Sequence, residues 1–244
     1  MSMDAAEPST DKRRELAFVA KAVSTCTACP LSRTRTNAVP GEGAPEAEIV
    51  LIGEGPGFYE DQQGRPFVGA SGKFLDELLR SINLNRKTVF ITNVVKCRPP
   101  ANRDPQPDEI AACGQHLEAQ LAAIAPKVVV TLGRHSMQRY FPGESIGRIH
   151  GQPRRKGDVI VVPMYHPAAA LHQGSLRKVI EADFLRLPEF LKKTLTAQPT
   201  AALTQNEHVP AHLRAQTAQQ RELEQAATTA SESTQAEAQQ MRLL

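Results

Sequence analysis

The sequence predicts an α/β fold, a three-layer α/β/α domain around a central, mostly parallel four-stranded sheet. Three observations carry that prediction. Four short runs rich in Val and Ile recur along the chain, helical apolar spacing fills the intervals between them, and polar landmarks follow on three of the runs. Short continuous apolar runs are typical of parallel strands buried on both faces. Alternation of strand and helix puts helices over both faces of the sheet.

The runs are Glu48–Gly53, Val89–Val95, Lys127–Leu132 and Val159–Met164. After the first, Ser71–Ile82 sets Phe74, Leu75, Leu78, Leu79 and Ile82 on one helical face. Pro107–Ile124 follows a loop rich in Pro, Asn and Asp, and Arg134–Phe141 follows the third run. Leu176–Leu195 keeps helical spacing through Val179, Ile180, Phe184, Leu187 and Leu191, with Pro188 predicting a kink. Residues 1–11 are expected to be disordered and residues 12–195 to form the domain. Residues 196–244, dominated by Ala, Gln, Thr, Glu and Ser, read as a low-complexity, disordered or weakly helical tail.

Charge follows the same division. The ends carry net −3 (residues 1–11) and −2 (residues 196–244), which against a chain total of +3 leaves +8 on residues 12–195. A basic core between acidic ends favours a polyanionic partner, although a soluble enzyme with a basic surface has the same signature. No apolar run approaches a membrane span of roughly 18 residues or more. The N-terminus lacks the charged-then-apolar layout of a secretion signal, so a cytoplasmic protein is expected. A reducing compartment argues against disulfides among the four cysteines.

The stretch from Gly53 to Gly69, GEGPGFYEDQQGRPFVG, is too long for a plain connector and reads as an exposed turn built to hold something. It starts at the carboxyl end of a strand, the side on which α/β sheets bind ligands. Asn93 and His166 also sit at strand ends, so three polar landmarks are expected on one rim. Taken singly, each has a structural explanation: a solvated loop acid, a turn-capping asparagine, a satisfied histidine.

The cysteines form one pattern, Cys26-x2-Cys29, then Cys97 and Cys113. A four-thiolate set suits zinc or an iron–sulfur cluster. Zinc ribbons present two tight Cys-x2-Cys knuckles, and only the first pair here is tight, which favours the larger 4Fe–4S cluster. Four buried structural cysteines are the plain alternative. Against it, Cys26-Thr-Ala-Cys29-Pro lies in a polar loop.

Together these features resemble the family 4 uracil-DNA glycosylases, the iron–sulfur branch of that superfamily found in bacteria and archaea. The resemblance covers residues 26 to about 191. It rests on Cys26-x2-Cys29-Pro30-Leu31, the Gly53–Gly69 motif, Thr92–Pro100 (TNVVKCRPP), Cys113 and His166-Pro167-Ala168. It implies a monofunctional enzyme that flips uracil out of DNA and hydrolyses its N-glycosidic bond, beginning base-excision repair. The implied roles are water positioning by Glu54, uracil binding by Gly55, Phe67 and Asn93, thymine exclusion by Glu60, and stabilisation of the uracil anion by His166. Cys26, Cys29, Cys97 and Cys113 would hold the 4Fe–4S cluster, in a structural role. Arg98, Arg103 and Arg177 would touch DNA phosphates, and Leu171 would wedge into the gap left by the flipped base. The last five residues, Gln240–Leu244, resemble peptides that dock into the bacterial sliding clamp. A monomer is expected. A non-catalytic iron–sulfur module that binds nucleic acid or senses damage is the competing class, and a metalloprotein acting on another nucleotide is a third.

Overall fold

The computed structural model describes residues 10–196. The domain begins with α1 (Thr10–Thr25), which runs into the first cysteine pair and a 3-10 turn at Pro30–Arg33. The order continues β1 (Glu42–Gly43), β2 (Ile49–Gly53), α2 (Phe58–Gln63), α3 (Ala70–Ser81), β3 (Phe90–Asn93), α4 (Pro107–Ile124), β4 (Val128–Leu132), α5 (Arg134–Gln138) and α6 (Ile146–Ile149). It ends with β5 (Arg154–Lys156), β6 (Val159–Met164), α7 (Pro167–His172), α8 (Ser175–Leu185) and α9 (Leu187–Thr196). Among the described residues no helix is long and apolar enough to cross a membrane.

The strands form one sheet in the order β1-β3-β2-β4-β6-β5. β3, β2, β4 and β6 are parallel, and they are the four expected strands. Their side chains alternate between two cores, as the pleat requires. Ile49 and Leu51 of β2 face the side covered by α3, α8 and α9, where Phe74, Leu78, Ile180 and Phe184 are buried. Val50 and Ile52 face the other side, packing with Leu117 and Ile124 of α4 and Met137 of α5. Helices on both faces make the three layers.

Four features depart from the sequence reading. The sheet has six strands, because β1 and β5 add short antiparallel edges. β5 reads Arg-Arg-Lys and shows no apolar alternation; it pairs through a tight Gly157-Asp158 turn in which Gly157 takes φ 59°. The domain also starts earlier than expected: α1 opens at Thr10 and buries Val19 and Val23. The helix expected over 176–195 is two, broken at Arg186, and Pro188 falls in the first turn of α9, where a missing N–H breaks no helical bond. Finally, the Gly53–Gly69 stretch is no exposed turn. It contains α2, and Glu60 and Asp61 are buried. Asp61 Oδ1 accepts the Thr36 backbone N–H (2.9 Å), tying this loop to the segment after the first cysteines. The clamp-like segment Gln240–Leu244 lies outside the described residues.

Candidate functional site

A cleft of about 600 Å³ opens at the carboxyl ends of the parallel strands. Glu54, Gly55, Glu60, Phe67, Asn93, Arg103 and His166 all line it, so the three landmarks share one rim. The backbone stitches that rim together beyond the strands: Val94 N–H donates to Gly53 O (3.0 Å) and Val95 N–H to Glu54 O (3.1 Å).

Asn93 closes β3 opposite Gly53, its register partner on β2. It is 2% exposed, and its backbone carbonyl accepts from Lys96 Nζ (2.8 Å). Lys96 is itself buried, with Nζ also donating to Thr92 Oγ1 (2.6 Å) and Gln120 Oε1 (2.7 Å); burial drops its pKa to about 7. Gly53 is required by space. A Cβ there would stand 2.7 Å from Phe67 Cζ and collide with Asn93 Oδ1. Gly53→Ala should therefore displace both cleft side chains, lowering kcat/KM at least about tenfold in a folded protein, since even small misplacement of positioning groups is costly. Steady-state kinetics alongside a melting curve check this.

Phe67 adopts φ 52°, in the left-handed region that costs a bulky residue about 1–3 kcal/mol. Arg86 holds it there, donating to the Pro66 carbonyl (2.8 Å) and to the Phe67 carbonyl. The ring stacks on His166, with centroids 5.4 Å apart and planes 23° from parallel. Glu60 Oε1 accepts the Val68 (2.8 Å) and Gly69 (2.9 Å) N–H groups, which fixes its carboxylate in the cleft wall.

His166 caps α7. Its Nδ1 accepts the Ala168 N–H at 3.1 Å. The proton of the neutral ring must therefore lie on Nε2. Burial pushes the pKa down to about 4, against a weaker opposing pull from Glu60, so the ring is a neutral N–H donor near pH 7.

Glu54 is half-buried. Desolvation raises its carboxyl above the usual range, His135 facing it pulls the other way, and Asp104 adds to the rise. His135 Nδ1 lies 3.4 Å from Glu54 Oε2 and has no hydrogen-bond partner among the described residues. On the other edge of the ring, Nε2 lies 3.2 Å from Arg134 Nη2 and 3.5 Å from Asp104 Oδ2. The ring thus lies between two carboxylates, Glu54 on its Nδ1 edge and Asp104 on its Nε2 edge. His135, Asp104 and Lys96 were missed in the sequence. His135 had a signal: it lies three residues past the end of β4, the fourth parallel strand. Asp104 and Lys96 had none.

The four cysteines gather at a second site. Cys26 and Cys29 after α1, Cys97 in the loop past β3 and Cys113 on α4 line one small pocket, and none is disulfide-bonded. Two sulfurs are met by donors: Arg35 Nη1 to Cys97 Sγ (3.0 Å) and the Lys96 backbone N–H to Cys113 Sγ (3.2 Å). Burial raises both thiols, Cys113 to about 11. Four unpaired thiols converging from three segments, with N–H groups aimed at sulfur, fit a soft-metal or cluster site.

The remaining residues divide. Arg103 lines the cleft and makes a bidentate pair with Glu109 (2.9 and 2.7 Å). Leu171 is 51% exposed on α7, while neighbouring Ala170 packs against the core. Arg98 lies beside the cleft mouth, over Phe58. Arg177 is outside the cleft lining, paired with Glu77 (2.7 Å) and Glu181 (3.0 Å).

Comparison with known proteins gives a consistent result. The sequence model of the Uracil DNA glycosylase superfamily matches residues 40–193. The chain is 52% identical to the type-4 uracil-DNA glycosylase of Sulfurisphaera tokodaii, over 68% of this chain and 80% of that protein. It is 46% identical to the type-4 enzyme of Archaeoglobus fulgidus, over 75% of this chain and 94% of the relative. A type-5 uracil-DNA glycosylase of Thermus thermophilus is 39% identical over 68% of this chain and 81% of its own length.

Proposed function

Since the chain belongs to the uracil DNA glycosylase superfamily, we infer that it is a uracil-DNA glycosylase, hydrolysing the bond between uracil N1 and deoxyribose C1′ in DNA. One observation supports the mechanism most: a buried amide (Asn93), a neutral imidazole N–H (His166) and a carboxylate of raised pKa (Glu54) share a single cleft.

Each has a distinct task. Asn93 offers a carbonyl to uracil N3–H and an amide N–H to O4. Cytosine presents the opposite polarity there and would leave buried groups unpaired. Phe67, pinned by Arg86, gives the base a flat face. His166 Nε2–H donates to O2, where negative charge grows as the C1′–N1 bond breaks. Glu54 orients the attacking water and takes up its proton. Glu60, held rigid by two backbone N–H groups, stands as the wall that thymine's methyl would strike. Arg103 and Leu171 supply a phosphate contact and the wedge.

His135 positions Glu54. Its Nδ1 edge faces Glu54 Oε2, and an N–H there, with a small turn of the carboxylate, completes a hydrogen bond. His135→Phe should lower kcat about tenfold and move the acid limb of its pH profile upward, because the group that favours ionised Glu54 is gone. His135→Asn keeps a donor near the Nδ1 position and should restore much of both. An unmoved acid limb in a folded Phe variant would refute this role.

Cys26, Cys29, Cys97 and Cys113 are assigned as ligands of a 4Fe–4S cluster. Holding it, these residues would tie the N-terminal segment to the loop after β3 and to α4, a structural contribution. Purified protein should contain four irons per chain, the number set by the cluster formula, and Cys97→Ser should lose iron and melt at lower temperature. Stoichiometric zinc in place of iron would overturn the assignment.

The activity test is excision from oligonucleotides carrying one uracil, single-stranded or opposite G or A, with thymine and cytosine controls. Multiple-turnover formation of abasic sites at uracil alone is expected. No release by protein with its cluster intact would leave a binding module instead.

A further inference from the structure

Two aromatic rings stand in solvent beside the cleft without a role in this reaction. Phe58 is 49% exposed and Tyr59 61% exposed. They open α2, between the cleft residues Gly57 and Glu60. Their centroids are 5.5 Å apart at 80°, an edge-to-face pair. The Arg98 guanidinium carbon sits 5.2 Å from the Phe58 centroid, and its Nε donates to Asn102 Oδ1 (2.7 Å), a residue of the cleft wall. The chain has no Trp and only eight Phe and three Tyr. Most of the phenylalanines are buried, including Phe67, Phe74, Phe90, Phe141, Phe184 and Phe190. Two adjacent aromatic rings left in water, at the mouth of a cleft and with a cation laid over one of them, match the composition of a single-strand nucleic-acid surface.

We propose that Phe58 and Tyr59, flanked by Arg98, form a stacking platform for the unpaired base next to the extruded uracil on the same strand. The proposal rests on the reading that the cleft takes uracil from DNA. Its occupant follows from continuity: once one nucleotide enters the cleft, its neighbour lies at the mouth, where these rings are. In a duplex the neighbouring base is held by its pairing and by the stack on its outer side, and the Leu171 wedge fills the gap on its inner side, so it does not turn out onto the rings. The platform therefore favours single-stranded substrate. Arg98 adds a positive charge where the strand's phosphates pass.

The test compares the wild-type protein with a Phe58→Ser, Tyr59→Ser double variant on two short single-stranded oligonucleotides. One carries uracil between normal bases, and the other carries it between two abasic spacers. Excision kinetics and fluorescence-anisotropy Kd values are measured on both. Wild-type kcat/KM and affinity are expected to fall about 5- to 100-fold when the flanking bases are removed, the range for stacking one base on an aromatic ring. The double variant should bind both oligonucleotides at the weaker level, with the loss in KM, and should discriminate little between them. Equal flank dependence in the two proteins, or none in the wild type, overturns the platform. If no uracil is released yet wild-type Kd shows the flank dependence and the variant loses it, the platform stands and the proposed activity falls. Both substitutions are at exposed positions, and a melting curve verifies the fold.

Discussion

Replacing His166 with phenylalanine is expected to slow uracil release about 10²- to 10³-fold with little change in KM, the usual consequence of removing one preorganised donor from a developing anion. The argument is one of proton location. Nδ1 is committed to the Ala168 N–H, so Nε2 carries the only proton, and a ring titrating at about 4 stays neutral throughout the working range. Three controls separate donation from packing. His166→Asn can keep an acceptor for the helix cap yet has no donor at the Nε2 position, so it should be as slow as phenylalanine. His166→Gln extends an amide N–H toward that position and should recover part of the rate. Wild-type kcat should show no His166 ionisation above about pH 4; a rate that needs a protonated imidazole, falling as pH rises through 6–7, would contradict it. The same burial has a stability consequence. The unfolded chain binds a proton near the ordinary histidine value of 6.5, and the folded chain does so only at about 4. Stability is therefore lost as pH falls through that window, and the phenylalanine variant should lack this component. Urea titrations at several pH values measure it.

Asn93→Asp should change the base that is read. A carboxylate at this buried position offers acceptors only, so it repels uracil O4 and suits the exocyclic amine of cytosine. Uracil excision is expected to drop by at least about 10³-fold, within reach of the large penalties seen when a site's hydrogen-bond pattern is mismatched. Cytosine excision should become detectable on a matched oligonucleotide. Because Lys96 Nζ holds the backbone carbonyl of residue 93 rather than its side chain, the loop itself should survive the substitution. A folded variant with unchanged uracil kinetics would remove Asn93 from the role of reader.

Much of this was legible in the sequence, for definite reasons. The four parallel strands announced themselves because burial on both faces demands unbroken apolar runs, as in Ile49–Gly53. Asn93 and His166 could be placed because a strand end fixes which rim a residue joins. β5 could not be read, because an edge strand of Arg154, Arg155 and Lys156 carries no apolar period. α1 leaves a faint trace in the spacing of Leu16, Val19 and Val23, too few apolar residues to mark a helix on their own. The burial of Glu60 and Asp61 was hidden because backbone N–H groups satisfy them, and no residue pattern records where a loop's amides point. His135 belongs to the same class: its meaning lies in the atom it faces across space, on a loop 81 residues earlier.

The two short antiparallel strands at the sheet margins have a consequence for colloidal behaviour. A parallel strand left at an edge presents a ladder of unpaired amides to any other copy of the chain, and such ladders seed edge-to-edge polymers. β1 is two residues long, too little to template a partner, and β5 meets an identical edge with three positive charges. The β5–β6 hairpin thus closes its side of the sheet with a short, charged edge, an arrangement that disfavours pairing with another copy of the chain.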